Sequence, residues 1–188
     1  MDLKKIISEI RLKSLSTATI NESKALLDIR NESEIRKNSF NKHKISEDEH
    51  EKWFNRIIKD KYVKNYLVFR SKEIIGNLSI YNLTNNLSSG YWSFYIGKRY
   101  RKVGVGFGLE YKSLSYIFEK LEIKLINCYV LNSNTEVIKL HKKFGFKITN
   151  NKNNVELPKK FKNITTHLVL DYKIWKKNKK KINTRFLL

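Results

Sequence analysis

Arg101-Lys102-Val103-Gly104-Val105-Gly106-Phe107-Gly108 stands between an aromatic, β-prone segment, Gly90–Ile96 (GYWSFYI), and a helical pattern. That pattern runs to about Lys120, with Leu109, Leu114, Ile117 and Phe118 as its apolar positions. A glycine-rich turn at a helix start leaves several backbone N–H groups pointing outward, and the helix dipole adds about half a positive charge there. Without a Cβ, glycine lets phosphate oxygens approach the backbone, and successive amides can form an anion-binding nest. Arg99, Arg101 and Lys102 add charge beside it. Two phosphate-binding patterns are excluded. No G-x-x-x-x-G-K-[ST] is present, and Gly104 and Gly106 are followed by Leu109 where G-x-G-x-x-G needs a third glycine. The competing reading is that the glycines only let helix and sheet pack closely. The basic flank and the position after a strand favour the anion.

Downstream, Ile123–Leu131 (IKLINCYVL) reads as a strand and Asn134–Phe144 as a helix with Val137, Ile138, Leu140 and Phe144 inward. Phe146–Ile148 and Thr166–Tyr172 read as closing strands. Upstream, Glu9–Leu15 alternates as a first strand, and Ser23–Arg36 is predicted as one helix on Leu26, Leu27, Ile29 and Ile35. Ser46-Glu47-Asp48-Glu49 fits a capping box before a helix carrying Trp53, Phe54, Ile57 and Ile58 on one face. Tyr66–Phe69 and Ile74–Tyr81 flank the turn Ser71-Lys72-Glu73, and Asn82–Ser89 is a polar connection. The order β-α-α-β-β-β-α-β-α-β-β predicts an α/β domain with a mixed central sheet and flanking helices over residues 9–172. Residues 173–188, with the lysine run Lys173–Lys181, read as a basic, solvated C-terminal tail.

The chain has 188 residues, 39 Lys and Arg against 18 Asp and Glu, and a formal charge of +21. Such a charge favours polyanionic or phosphate-bearing partners. Codon usage in an AT-rich genome is an equal explanation, since 31 of the basic residues are Lys and Asn occurs 20 times. The basic residues are scattered, without aromatics interleaved along one face, so a nucleic-acid or membrane-surface binding protein is the weakest class. No apolar run approaches the roughly 18 residues of a membrane helix. The N-terminus lacks a secretory pattern, and Cys128 is the lone cysteine, so a cytoplasmic enzyme without disulfides is expected. His43 and His50 are seven apart, which is no metal-ligand spacing, so no metal is expected.

Two blocks carry a resemblance. Arg101-Lys102-Val103-Gly104-Val105-Gly106 resembles R/Q-x-x-G-x-G/A, the acetyl-CoA pyrophosphate loop of the GNAT N-acetyltransferases. About 30 residues on, Asn132–Phe146 resembles that family's N-x-x-[AS]-[IV]-x-[LF]-[YH]-x-K-x-G-[FY] block. The resemblance implies the GNAT fold, with acetyl-CoA held between two splayed parallel strands, Gly90–Ile96 and Lys124–Leu131. It also implies direct acetyl transfer to an amine, without a metal. The pyrophosphate would lie on Arg101, Lys102, Val103, Gly104, Val105, Gly106 and Phe107. A backbone N–H near Phe94, Tyr95 and Ile96 would stabilise the oxyanion. His141 stands where many members have the tyrosine that protonates the leaving thiolate, and an imidazole can donate that proton near neutrality. The alternative is that it fills space or holds the pantetheine arm. Asn134 reads equally as a pantetheine ligand or a helix cap. No general base stands out: Glu110, Glu119 and Glu122 read as surface charges, and Ser93 or Tyr129 as holders of a water.

The N-terminal half resembles a narrower group. Arg30-Asn31, Ile35-Arg36, Phe40-Asn41, Ile45-Ser46, His50 and Trp53 follow the R-N…[IV]-R…N…I-[ST]…H…[WF] pattern of the PseH subfamily. That subfamily acetylates the 4-amino group of a UDP-4-amino-4,6-dideoxy sugar in pseudaminic acid biosynthesis, for flagellin glycosylation. Ile29 and Glu32-Ser33 depart from its usual Trp and His-Pro. The resemblance implies a UDP-amino-sugar site at Arg30, Asn31, Phe40, His50, Trp53 and Tyr81, with Arg30, Lys42 and Lys44 as phosphate partners. Trp53 and Phe54 read alternatively as core. The runner-up acceptor is a protein N-terminus, as in ribosomal-protein acetyltransferases, which an acidic groove would favour. The oligomeric state stays open between monomer and homodimer.

Overall fold

The computed structural model describes residues 2–86, 88–149 and 157–187. The helices are α1 Leu3–Glu9, α2 Ile20–Arg30, α3 Ser33–Lys37, α4 Glu47–Ile57, α5 Val105–Glu119, α6 Thr135–Phe144, α7 Lys159–Lys162 and α8 Tyr172–Ile182. The strands are β1 Ile10–Ser14, β2 Lys64–Arg70, β3 Glu73–Tyr81, β4 Ser89–Ile96, β5 Leu125–Leu131, β6 Lys147–Ile148 and β7 Thr165–Asp171. They form one sheet in the order β1-β2-β3-β4-β5-β7-β6, in which only β4 and β5 run parallel. The connection Asn82–Ser89 includes position 87, outside the described residues.

The parallel pair positions the site. β4 and β5 are in register only at Ser89–Leu125, Gly90–Ile126 and Tyr91–Asn127. Beyond Tyr91, β4 stays paired with β3 as far as Ile96, while β5 pairs with β7 on its far side. The two strands therefore part, and their inner edges border a wedge-shaped opening, as the GNAT resemblance implies.

Three expectations about elements are corrected. Residues 3–9 form a helix ahead of the first strand, capped by the Asp2 carboxylate, which accepts from Lys5 N–H; Leu3 and Ile6 enter the core. Gly108 makes room for it, because a Cβ there would lie 2.8 Å from Ile6 Cγ2 and 3.3 Å from Ile10 Cδ1. The single helix over Ser23–Arg36 is two, α2 and α3, broken at Asn31-Glu32. The break is put to use: Glu32 Oε2 accepts from Lys98 N–H at 2.6 Å, tying it to the turn after β4.

The third correction concerns Lys173–Lys181, which is α8 and not a solvated tail. Asp171 caps it, accepting from Ile174 N–H at 2.9 Å, and Lys179 pairs with Glu119. Trp175 is fully buried against Tyr111, Phe118 and Phe144, and Ile182 lies one heptad on. Composition concealed this, because a lysine-rich helix needs only one narrow apolar stripe to dock. Trp175→Ala is expected to cost about 3–5 kcal/mol of folding stability, read as a lowered denaturation midpoint. An unchanged midpoint would show that α8 is dispensable to the fold.

On the opposite side, Leu15, Leu26, Leu67 and Phe69 form a smaller cluster, with Trp53, Phe54 and Ile57 of α4 packed against it. The capping box at Ser46 and Glu49 is formed on both arms. Core packing is thus part of what Trp53 and Phe54 do.

Candidate active site

A cleft of about 740 Å³ runs from the glycine-rich turn, between β4 and β5, to the α2–α4 layer. At its first end Gly104 has φ +87°, the left-handed conformation that glycine adopts readily, and starts α5. Val105 N–H donates to Lys102 O at 3.1 Å and Gly108 N–H to Gly104 O at 2.8 Å. The Gly106 and Phe107 N–H groups between them have no acceptor among the described residues. Two outward amides at a 15-residue helix start fit a pyrophosphate. Arg101, Lys102 and Gly106 line the cleft. Val103 is 82% exposed, Val105 is fully buried with its N–H spent on Lys102 O, and Phe107 packs on Phe144 at 4.7 Å, so none of these three side chains lines the cleft and Phe107 offers its outward amide. Arg101 is braced by Nε donating to Ile96 O at 2.8 Å, whereas Arg99 is paired with Glu73.

In the middle of the cleft stand Phe94, Tyr95, Ile96 and His141. Asn134 lines it too, and its side chain makes no capping bond, so the cap alternative is not realised. His141 is 3% exposed, and its Nδ1 lies 2.8 Å from Glu110 Oε1. Trp92, Phe94 and Phe146 surround the imidazole at 5.4, 6.0 and 4.9 Å between ring centres. Burial opposes the imidazolium. The Glu110 charge and hydrogen bonding with Cys128 outweigh it and push His141 up to about 10. Burial raises Glu110 as well, against the pull of His141. The pair therefore holds one proton through neutral pH.

Glu110 is a correction: it is fully buried and paired, not a surface charge. A carboxylate among Leu109, Ser113 and Leu114 on a helix's inward side was the available signal. Glu119 is on the surface, held by Lys179. Cys128, assigned no role from its place in the strand, lines the cleft beside His141. Ser93 and Tyr129 also line it. A buried polar cluster went unread: Asn77 Nδ2 donates to Asn65 Oδ1 at 2.8 Å and to Tyr66 O at 2.9 Å, and Asn65 Nδ2 donates to Ser79 Oγ at 3.2 Å. Its sequence signal was asparagine inside otherwise apolar strands.

At the far end, Arg30, Phe40, Trp53 and Tyr81 line the cleft, with Glu34 beside them. Arg30 Nη2 donates to Asn41 O at 3.0 Å, while its buried Nη1 has no partner among the described residues. Burial lowers the Arg30 pKa. Phe40 meets Phe161 at 4.7 Å. Asn31 and His50 are not brought into the cleft. Asn31 clamps Ile45 in both directions at 2.8 Å, closing the loop that carries Phe40. His50 lies 2.9 Å from Ser23 Oγ, joining α4 to α2, and its ring is tilted against that of Trp53 at 5.2 Å. Lys42 and Lys44 are exposed outside the cleft. Among the described residues, no group of three or more His, Cys, Asp or Glu could hold a metal, and no helix is long and apolar enough to cross a membrane.

Residues 14–147 match the model of a family described as an acetyltransferase (GNAT) domain. Acetyltransferase PseH of Campylobacter jejuni (strain 81-176) is 29% identical over 140 residues, 74% of this chain and 85% of that protein. The crystal structure of Campylobacter jejuni PseH in complex with acetyl coenzyme A superposes with a TM-score of 0.65 at 23% identity, covering 87% of this chain and 99% of that one. A spermidine N-acetyltransferase from Vibrio cholerae, in complex with CoA and spermine, superposes with a TM-score of 0.75 at 19% identity, covering 89% and 98%. These two structural likenesses speak to the fold alone.

Proposed function

Because this chain belongs to the acetyltransferase (GNAT) family, we propose that its acceptor is the 4-amino group of a UDP-4-amino-4,6-dideoxy sugar, the acetylation that serves pseudaminic acid and flagellin glycosylation. The chain is an acetyl-CoA-dependent N-acetyltransferase. The outward amides of Gly106 and Phe107 hold the pyrophosphate with Arg101 and Lys102, and Asn134 takes the pantetheine arm. The thioester is carried between β4 and β5, its carbonyl oxygen near the backbone of Phe94–Ile96. The amine attacks directly, so positioning supplies much of the rate, and His141 protonates the departing thiolate. The enzyme works in the cytoplasm, where acetyl-CoA and nucleotide sugars are both available.

The observation that carries the acceptor reading is Arg30 Nη1. A buried guanidinium nitrogen without a partner is costly unless a ligand satisfies it, and a nucleotide sugar's diphosphate is a bidentate acceptor suited to that fork. Phe40 and Trp53 then offer ring faces to uracil and to the 6-deoxy methyl, while Asn31 and His50 set the loop and helix that present them. A cationic acceptor would be repelled by Arg30, with Glu34 beside it to offset part of that charge; Glu136, which also lines the cleft, is paired with Lys139. Mass spectrometry after incubation with acetyl-CoA is expected to find one acetyl group on a UDP-4-amino-4,6-dideoxy sugar. Arg30→Ala should raise the KM for that sugar by about 10–100-fold, the value of one charged, buried contact. Acetylation of an N-terminal peptide or a polyamine alone would overturn the sugar reading.

A further inference from the structure

We infer that Glu110 is a positioning residue for the acetyl transfer: its buried carboxylate fixes the His141 tautomer, so that the proton His141 gives up is the one on Nε2. The inference rests on the proposed role of His141 as the acid. Glu110 lies on α5, six residues beyond Gly104, about 9 Å along the axis at 1.5 Å per residue. The helix that starts at the pyrophosphate loop thus also carries the carboxylate to His141 Nδ1, 2.8 Å away, with side-chain exposures of 0% and 4%.

The proton bookkeeping is the same whichever partner holds the shared proton. If Glu110 is ionised, His141 carries N–H on both nitrogens. If Glu110 is protonated, its O–H donates to Nδ1, and the neutral ring carries N–H on Nε2. In both cases Nε2 has a proton to give. When it leaves, the Nε2–H bond breaks and the CoA S–H bond forms. The amine nitrogen forms the new C–N bond, the C–S bond pair goes to sulfur, and the ring ends neutral with Nδ1–H donating to the carboxylate; where Glu110 held the shared proton, that proton passes to Nδ1 in the same step. Solvent takes the amine's proton and reloads Nε2. A ring without Glu110 can hold its neutral-form proton on either nitrogen.

The surroundings fit this role better than that of a structural brace. Glu110 Oε2 has no partner among the described residues, and a half-satisfied buried carboxylate adds little to stability. The other groups facing the imidazole are Cys128 from β5, the Trp92 and Phe94 rings from β4, and Phe146. Glu110 is thus the carboxylate facing this ring, and its effect on the ring's proton is larger than that of Cys128.

The test is the pH profile of kcat with acetyl-CoA and the accepted amine. The chain as it stands should hold its kcat through neutral pH and lose it only as pH rises towards 10, the range where His141 gives up its proton. Glu110→Gln removes the largest effect that opposes burial, so the loss should move to lower pH. At pH 8, kcat should fall by about 10–100-fold, with the KM for acetyl-CoA within about twofold. In a His141→Tyr background the same substitution should cost less than about threefold, since a phenol has no tautomer to fix. An unchanged profile and kcat in Glu110→Gln, together with a loss in His141→Ala, would overturn this inference alone. An unchanged kcat in His141→Ala would overturn the acid reading with it. Should Glu110→Gln not fold, ¹⁵N spectra of the His141 ring decide the matter in the unaltered chain. In spectra taken at a pH high enough for the ring to have given up its acidic proton, a ring left protonated on Nδ1 is expected, and a ring left protonated on Nε2 at that pH would refute the inference.

Discussion

His141→Ala is expected to lower kcat by about 10²–10³-fold at pH 7–8, with the KM for acetyl-CoA within about twofold. A group that protonates the leaving thiolate acts only once the C–S bond is breaking. Its loss therefore appears in kcat, not in the binding of acetyl-CoA. His141 can take that role because of where it sits. It lies at the last turn of α6, between β4 and β5 where they have separated, and it lines the cleft though only 3% exposed. Its proton is retained at neutral pH by Glu110 and Cys128 against the effect of burial. Alanine at 141 also strands the Glu110 carboxylate, so thermal unfolding must accompany the kinetics and rates be expressed per folded molecule. If kcat per folded molecule were unchanged, His141 would be a packing residue and the proton would come from solvent.

The parts of this site that the sequence declared, and those it hid, differ in physical kind. The glycine-rich turn, the strand before it and the helix after it are local features, set by φ/ψ needs and by periodicity. They stand where residues 90–120 predicted them. The Ser46 capping box is equally local and is formed. Glu110 was hidden because its meaning depends on a residue 31 positions away on another helix. Read alone on a lysine-rich chain, it resembled one more solvated charge. Trp175 was hidden for the same reason within a lysine run. Asn31 shows the converse: its place in a pattern pointed at substrate, whereas its amide is spent on both backbone groups of Ile45. Patterns report which residues a site requires, and only tertiary contact separates those that touch a ligand from those that hold the touching residue in place.

Gly104→Val is expected to raise the KM for acetyl-CoA by about 10–100-fold, with the folded state retained and kcat at saturating acetyl-CoA less affected. Gly104 sits at φ +87°, where a β-branched residue is strained by about 1–3 kcal/mol. The chain can relieve that strain only by turning the peptide, and the peptide it turns starts α5. The Gly106 and Phe107 amides follow within the same turn, so they would be re-aimed away from the pyrophosphate. The effect should stay local, because the core face of α5 is held independently. Val105, Leu109 and Leu114 are fully buried, and Gly108 packs against Ile6 of α1. Titration of acetyl-CoA by calorimetry would separate this from a folding defect. Weakened binding with a cooperative melting transition lowered by no more than about 10 °C is the expected pair of results. An unchanged Kd would mean that the pyrophosphate lies elsewhere, and the two outward amides would then need another anion to explain them.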